Sequence, residues 1–107
     1  MTNKLIVFVT CSSLGEAKKR ARALVEARLA ACANIVPRMH SIYRWKGKVE
    51  SAGETLMILK TSRRRFAALR REVERLHGYD TPEVIAVPVT AGARKYLAWL
   101  DDSLRKS

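Results

Sequence analysis

A thiol and an imidazole are the side chains of this 107-residue chain best suited to hold a soft or borderline metal ion. Two cysteines, Cys11 and Cys32, and two histidines, His40 and His77, carry such groups. Neutral imidazole suits copper and zinc, which makes His77 a candidate ligand. One histidine is not a site, and at a helix end it also interacts with the helix dipole. Cys11 with His77 would make a better soft site, and both fall near the ends of elements. His40 falls in a strand without a nameable partner. A second group, Cys32, Tyr43, Trp45, Lys60, Tyr79 and Glu83, mixes aromatic surface with opposite charges. Cys32, after a helix packed on a sheet, reads first as a small core hydrophobe. The mixture fits a small-molecule or anion cleft between subunits. It also fits the anchoring of an interface, where Tyr and Trp are favoured, and this is the preferred reading. Glu50 and Glu54 are two carboxylates with no supporting group. No nucleophile elbow, P-loop, dinucleotide fingerprint or Cys-x-x-Cys pair occurs, so no enzyme is expected.

The elements that must position these residues follow from apolar periodicity. Leu5–Thr10 is a continuous β-branched run, the signature of a strand buried on both faces. Ser13 with Glu16 forms a capping box and starts a helix reaching about Ala31, with Leu14, Ala17, Ala21, Leu24, Val25 and Leu29 on its apolar side. A long strand follows over 33–45. Pro37 interrupts it, which demands an edge or a bulge. Lys46-Gly47-Lys48 turns the chain into a return strand. There Glu54, Leu56, Ile58 and Lys60 alternate with Thr55, Met57, Leu59 and Thr61. A second helix begins after Thr61 or Ser62, with Phe66, Leu69, Val73 and Leu76 as its stripe. Gly78 is placed to end it in the left-handed conformation. Thr81-Pro82 precedes a strand at 84–89, and a helix at about 94–104 carries Tyr96, Leu97, Trp99, Leu100 and Leu104. The order βαββαβ plus a terminal helix predicts an α+β, ferredoxin-like sandwich forming one domain over 1–107. Right-handed crossovers place the first and third strands in the centre and the second at an edge.

Composition bounds the setting. The chain has 21 Lys and Arg against 10 Asp and Glu, a formal charge of +11. Much of the excess lies in 18–28 and 63–75, on what read as solvated helix faces. No run approaches the roughly 18 apolar residues needed to span a membrane. Met1-Thr2-Asn3-Lys4 leads straight into a strand without a cleavable signal, and two cysteines in that context read as free thiols. The expected compartment is the cytoplasm. The strand segment from Met39 to Trp45 is rich in large apolar residues. An open edge of that kind is an aggregation hazard, so a further subunit is expected to cover it.

Specific segments carry a family resemblance. They are Leu29-Ala30-Ala31-Cys32-Ala33-Asn34, Ser41-Ile42-Tyr43-Arg44-Trp45-Lys46-Gly47, Glu54, and Leu59-Lys60-Thr61. His77-Gly78-Tyr79-Asp80-Thr81-Pro82-Glu83-Val84-Ile85 and Tyr96-Leu97-Ala98-Trp99-Leu100 complete them. In this order and spacing the chain resembles the CutA family of divalent-cation tolerance proteins over nearly its full length. The resemblance implies a ferredoxin-like fold, a homotrimer similar to the PII signalling proteins, and an association with copper or another divalent cation. It implies no catalytic reaction. Where the family commonly has His-Pro-Tyr, this chain has His77-Gly78-Tyr79. Where some relatives have a first-strand cysteine and a second histidine, it has Val9 and Leu76.

RNA binding is the alternative that shares this element order. It needs aromatics on the central strands to stack bases. The first strand offers only Phe8 and the segment Leu56–Thr61 none, so specific nucleic-acid binding is not expected.

Overall fold

The structure is a computed structural model and describes residues 2–105. Met1, placed by the sequence at the approach to the first strand, lies outside the described residues. The elements are β1 (Lys4–Cys11), α1 (Leu14–Glu26), β2 (Cys32–Trp45), β3 (Lys48–Ser62), α2 (Arg63–Leu76), β4 (Val84–Pro88) and α3 (Arg94–Leu104). The four strands form one antiparallel sheet in the order β2-β3-β1-β4, the ferredoxin-like arrangement, with β1 and β3 central and β2 at an edge.

Strand alternation divides the apolar residues between two faces. Val7, Val9, Cys11, Met57 and Leu59 are fully buried against Ala17, Ala21 and Leu24 of α1 and Leu69 and Val73 of α2. Small alanines on α1 let that helix lie close to the sheet. On the opposite face the ladder aligns Ile6, Phe8, Leu56 and Ile58 with Ile85 and Val87 of β4. The helix α3 packs by Leu100 and Leu104 on Ala31, and the buried Lys4 ammonium meets Asp101 at 2.8 Å to pin it. It leaves Ile85, at 55% exposure, uncovered.

Two helix ends differ from expectation. α1 stops at Glu26 rather than near Ala31. Arg28 takes a left-handed φ of 63°, and its N–H bonds Val25 O while that of Leu29 bonds Leu24 O. This is a Schellman closure built without glycine. α2 ends at Leu76, but Gly78 is not left-handed. His77 turns extended instead, and its side chain closes the turn. The start of α1 follows the capping box in part: Glu16 N–H donates to Ser13 Oγ, while the Glu16 carboxylate accepts from Ser12 Oγ.

Pro37 marks a β-bulge. Pairing passes from Val36 opposite Leu56 to Met39 opposite Glu54, so β2 gains one residue on β3. Thr55 Oγ1 donates to the Pro37 carbonyl at 3.1 Å and fastens the bulge. Beyond it the hairpin runs on to a tight turn where Lys46 and Gly47 both have positive φ, 51° and 81°.

Candidate functional site

Cys11 ends β1, Glu16 lies in the first turn of α1, and His77 follows α2. Their ligand atoms lie within 4.8 Å of one another. The pairing of Cys11 with His77 expected from sequence is thus brought together. Glu16 joins it unforeseen, because its spacing from Ser13 marks it only as a capping residue. Tyr79 N–H donates to His77 Nδ1 at 3.1 Å, so the proton of the neutral ring sits on Nε2 and is donated to Thr10 O at 2.6 Å. Both ring nitrogens are therefore engaged. Burial, reinforced by the Glu16 carboxylate, pushes the Cys11 thiol from its usual 9.0 up to about 11. Arg20 Nε stands 3.3 Å from Glu16 Oε1 on the outer side of the cluster.

The second group divides. Tyr43, Trp45, Tyr79 and Glu83 line an open cleft of about 930 Å³ between the hairpin and the segment after α2, together with Glu54 and Asp80. Tyr79 O–H donates to Glu54 Oε2 at 2.9 Å, and its ring lies 4.5 Å from that of His77. Burial, with this bond, raises the Tyr79 phenol well above its ordinary value. Cys32 and Lys60 are elsewhere. They face each other across the β2–β3 ladder. Lys60 Nζ donates to Tyr96 Oη at 3.2 Å and sits over that ring, 5.5 Å from its centroid. That bond holds the ammonium above its usual range. Tyr96 in turn packs on Trp99. Lys60 and Cys32 thus lie outside this cleft, whose charged lining among the described residues is Glu54, Asp80 and Glu83. Cys11 and Cys32 are both free thiols, as expected. His40 lines the cleft as well, at the hairpin position opposite Gly53.

Comparison with known proteins agrees over the same span. The family profile of the CutA1 divalent ion tolerance protein matches residues 5–103. Protein CutA, chloroplastic, of Arabidopsis thaliana is 46% identical over 101 residues, covering 94% of this chain and 56% of that protein. This chain therefore spans little more than half of that relative. The divalent-cation tolerance protein CutA of Thermus thermophilus is 46% identical over 98 residues, covering 92% of this chain and 95% of that one. Among solved structures, the periplasmic divalent cation tolerance protein CutA from Archaeoglobus fulgidus superposes with a TM-score of 0.92. It is 39% identical, with 95% of this chain and 99% of that chain covered.

Proposed function

This chain belongs to the CutA1 divalent ion tolerance family, and from that premise we propose that it is a homotrimeric, non-enzymatic protein that binds copper or another divalent cation. The cluster of Cys11, Glu16 and His77 is the observation that carries the metal reading. Thiolate, carboxylate and imidazole form a donor set suited to soft and borderline ions. The donors fit in kind and in spacing, but not as they stand. The ion displaces the Cys11 proton, and one nitrogen of His77 gives up its present hydrogen bond. Binding therefore releases protons and strengthens as pH rises. A bound ion would be sequestered at the buried end of β1 by these three side chains.

The trimer reading rests on the uncovered sheet face. Ile85 and Val87 are exposed beside the half-buried Phe8 and Ile58 on the face turned away from α1 and α2. Ile42 and Val49 of the hairpin, 76% and 64% exposed, stand on the other face and offer a second apolar surface. Exposed apolar surface of this kind supports association. We place the protein in the cytoplasm, where two free thiols persist. The names of the Arabidopsis and Archaeoglobus proteins assign those relatives to chloroplast and periplasm. No described helix is long and apolar enough to cross a membrane.

Copper titration by calorimetry on the wild type, Cys11→Ser, Glu16→Gln and His77→Ala tests the metal site. The three variants are expected to bind more weakly than the wild type. Equal affinity in all four proteins would remove the cluster from any metal role.

A further inference from the structure

Cys11 has no exposed surface, so nothing reaches its Sγ until a neighbour moves. The walls of the Cys11, Glu16 and His77 cluster differ in how firmly they are held. Cys11 is paired with Thr55 in the centre of the sheet. Glu16 belongs to α1, whose Ala17, Ala21 and Leu24 are buried in the core. Neither element can shift without opening that core. His77 and Tyr79 lie instead in the irregular stretch between α2, which ends at Leu76, and β4, which begins at Val84.

Tyr79 ties that stretch down over the cluster. Its N–H donates to His77 Nδ1 at 3.1 Å, its ring lies 4.5 Å from the imidazole, and its hydroxyl donates to Glu54 Oε2 at 2.9 Å. The phenol is close enough to Cys11 and Glu16 to feel both charges. Gly78, between the two rings in sequence, has no Cβ to restrict the backbone, and a Cβ built there would meet nothing within 4 Å.

The two nitrogens of His77 are not equivalent. A backbone N–H can only donate, so Nδ1 accepts from Tyr79 and the ring proton sits on Nε2, 2.6 Å from Thr10 O. A ligating imidazole almost always donates its other N–H to a carbonyl or carboxylate, which fixes the ring. The bond from Nε2 to Thr10 O is such a support, already made. Nδ1 is therefore the nitrogen prepared for an ion, and the Tyr79 amide occupies it.

Resting on the metal reading of this cluster, we infer that Tyr79 is its gate: His77 ligates through Nδ1, keeps Nε2–H on Thr10 O, and gives up the Tyr79 amide when the site fills. Tyr79 is not a ligand. It controls entry, and the stretch between α2 and β4 is released as the ion arrives.

Zinc, a diamagnetic probe, tests this on the intact protein by nuclear magnetic resonance. With zinc bound, the nitrogen resonances of the His77 ring are expected to show Nδ1 coordinated and Nε2 still protonated. The Tyr79 amide is expected to exchange with solvent about tenfold faster or more. Tyr79→Phe keeps the ring and the amide but lacks the bond to Glu54, so zinc uptake in stopped flow should be about fivefold faster. Coordination through Nε2 with an undisturbed Tyr79 amide overturns the gate and leaves the metal reading standing. An unchanged uptake rate in Tyr79→Phe overturns the gate as well. If zinc leaves His77 untouched, or binds Cys11→Ser as it binds the wild type, the metal reading falls and the gate with it.

Discussion

The two faces of the sheet are built from similar residues and covered unequally. On the helix side Val7, Val9, Met57 and Leu59 have no exposure at all. On the other side Ile6, Phe8, Leu56 and Ile58 are half-buried, and Ile85 and Val87 are exposed. Apolarity along β1 is continuous because both faces avoid water, but the chain supplies only one layer to cover them. Ala17, Ala21, Leu24, Leu69 and Val73 make that layer. A sheet face is buried against another element, and in the proposed trimer neighbouring copies would supply that layer. On that reading, the difference between the faces separates what holds the subunit together from what would hold subunits to one another.

Substitutions on the two sides should therefore fail in different ways. Leu59→Ala opens a cavity under the helices and should cost about 2–5 kcal/mol in chemical denaturation. A loss below that range would mean the helix side tolerates voids. Ile85→Asp should leave the subunit folded by circular dichroism while sedimentation equilibrium drops from three chain masses to one. A persistent trimer would locate the interface elsewhere.

The sealed side also predicts an alkaline limit. The unfolded Cys11 thiol ionises near 9.0 and the folded one near 11, so the folded chain keeps its proton longer. Stability from this group is intact below pH 9 and declines as pH rises to about 11. Tyr79, raised in the same direction, extends the decline above its usual 10.0. Cys11→Ala should flatten the first part of the slope in melts across that range. The smallest change is at the rim joining the two sides. Tyr79→Phe deletes the bond to Glu54 and should cost about 1 kcal/mol. An unchanged denaturation midpoint would show that water replaces it without loss.

Local chemistry made much of this legible. Pro37 called for an edge or a bulge, because proline lacks a ladder donor, and the structure has both. The bounds of α3 and the alternation of Thr55–Thr61 followed from periodicity. The end of α1 did not. Ala27, Arg28 and Leu29 are good helix formers, and the left-handed Arg28 is imposed by tertiary packing, including its Nη1 bond to Ser103 O. Gly78 misled in the opposite sense, since the His77 side chain performed the closure expected of a glycine. The split of Lys60 and Cys32 from the cleft was beyond sequence spacing, which ranks residues along one strand without saying which loop returns to meet them. Glu16 and Tyr96 escaped notice for the same reason.

The bulge at Pro37 acts as a change of phase. Before it, Cys32, Asn34 and Val36 stand opposite the even-numbered residues Lys60, Ile58 and Leu56. After it, Met39, Ser41, Tyr43 and Trp45 oppose even-numbered residues from Glu54 to Lys48. Opposed residues share a face. One extra residue therefore exchanges which half of the outer hairpin looks toward Glu54. In an unbulged strand, His40, Ile42 and Arg44 would occupy the side that now holds both aromatic rings. Deleting Arg38 removes the bulge, yet Met39, Ser41, Tyr43 and Trp45 stay opposite the even-numbered residues of β3, so the outer hairpin keeps its faces. Insertions in pairs at the Lys46-Gly47 turn lengthen the hairpin and keep its meaning. In this chain the identity of a surface is written partly in parity, and the bulge is the device that absorbs the one residue by which the two halves of β2 are out of step.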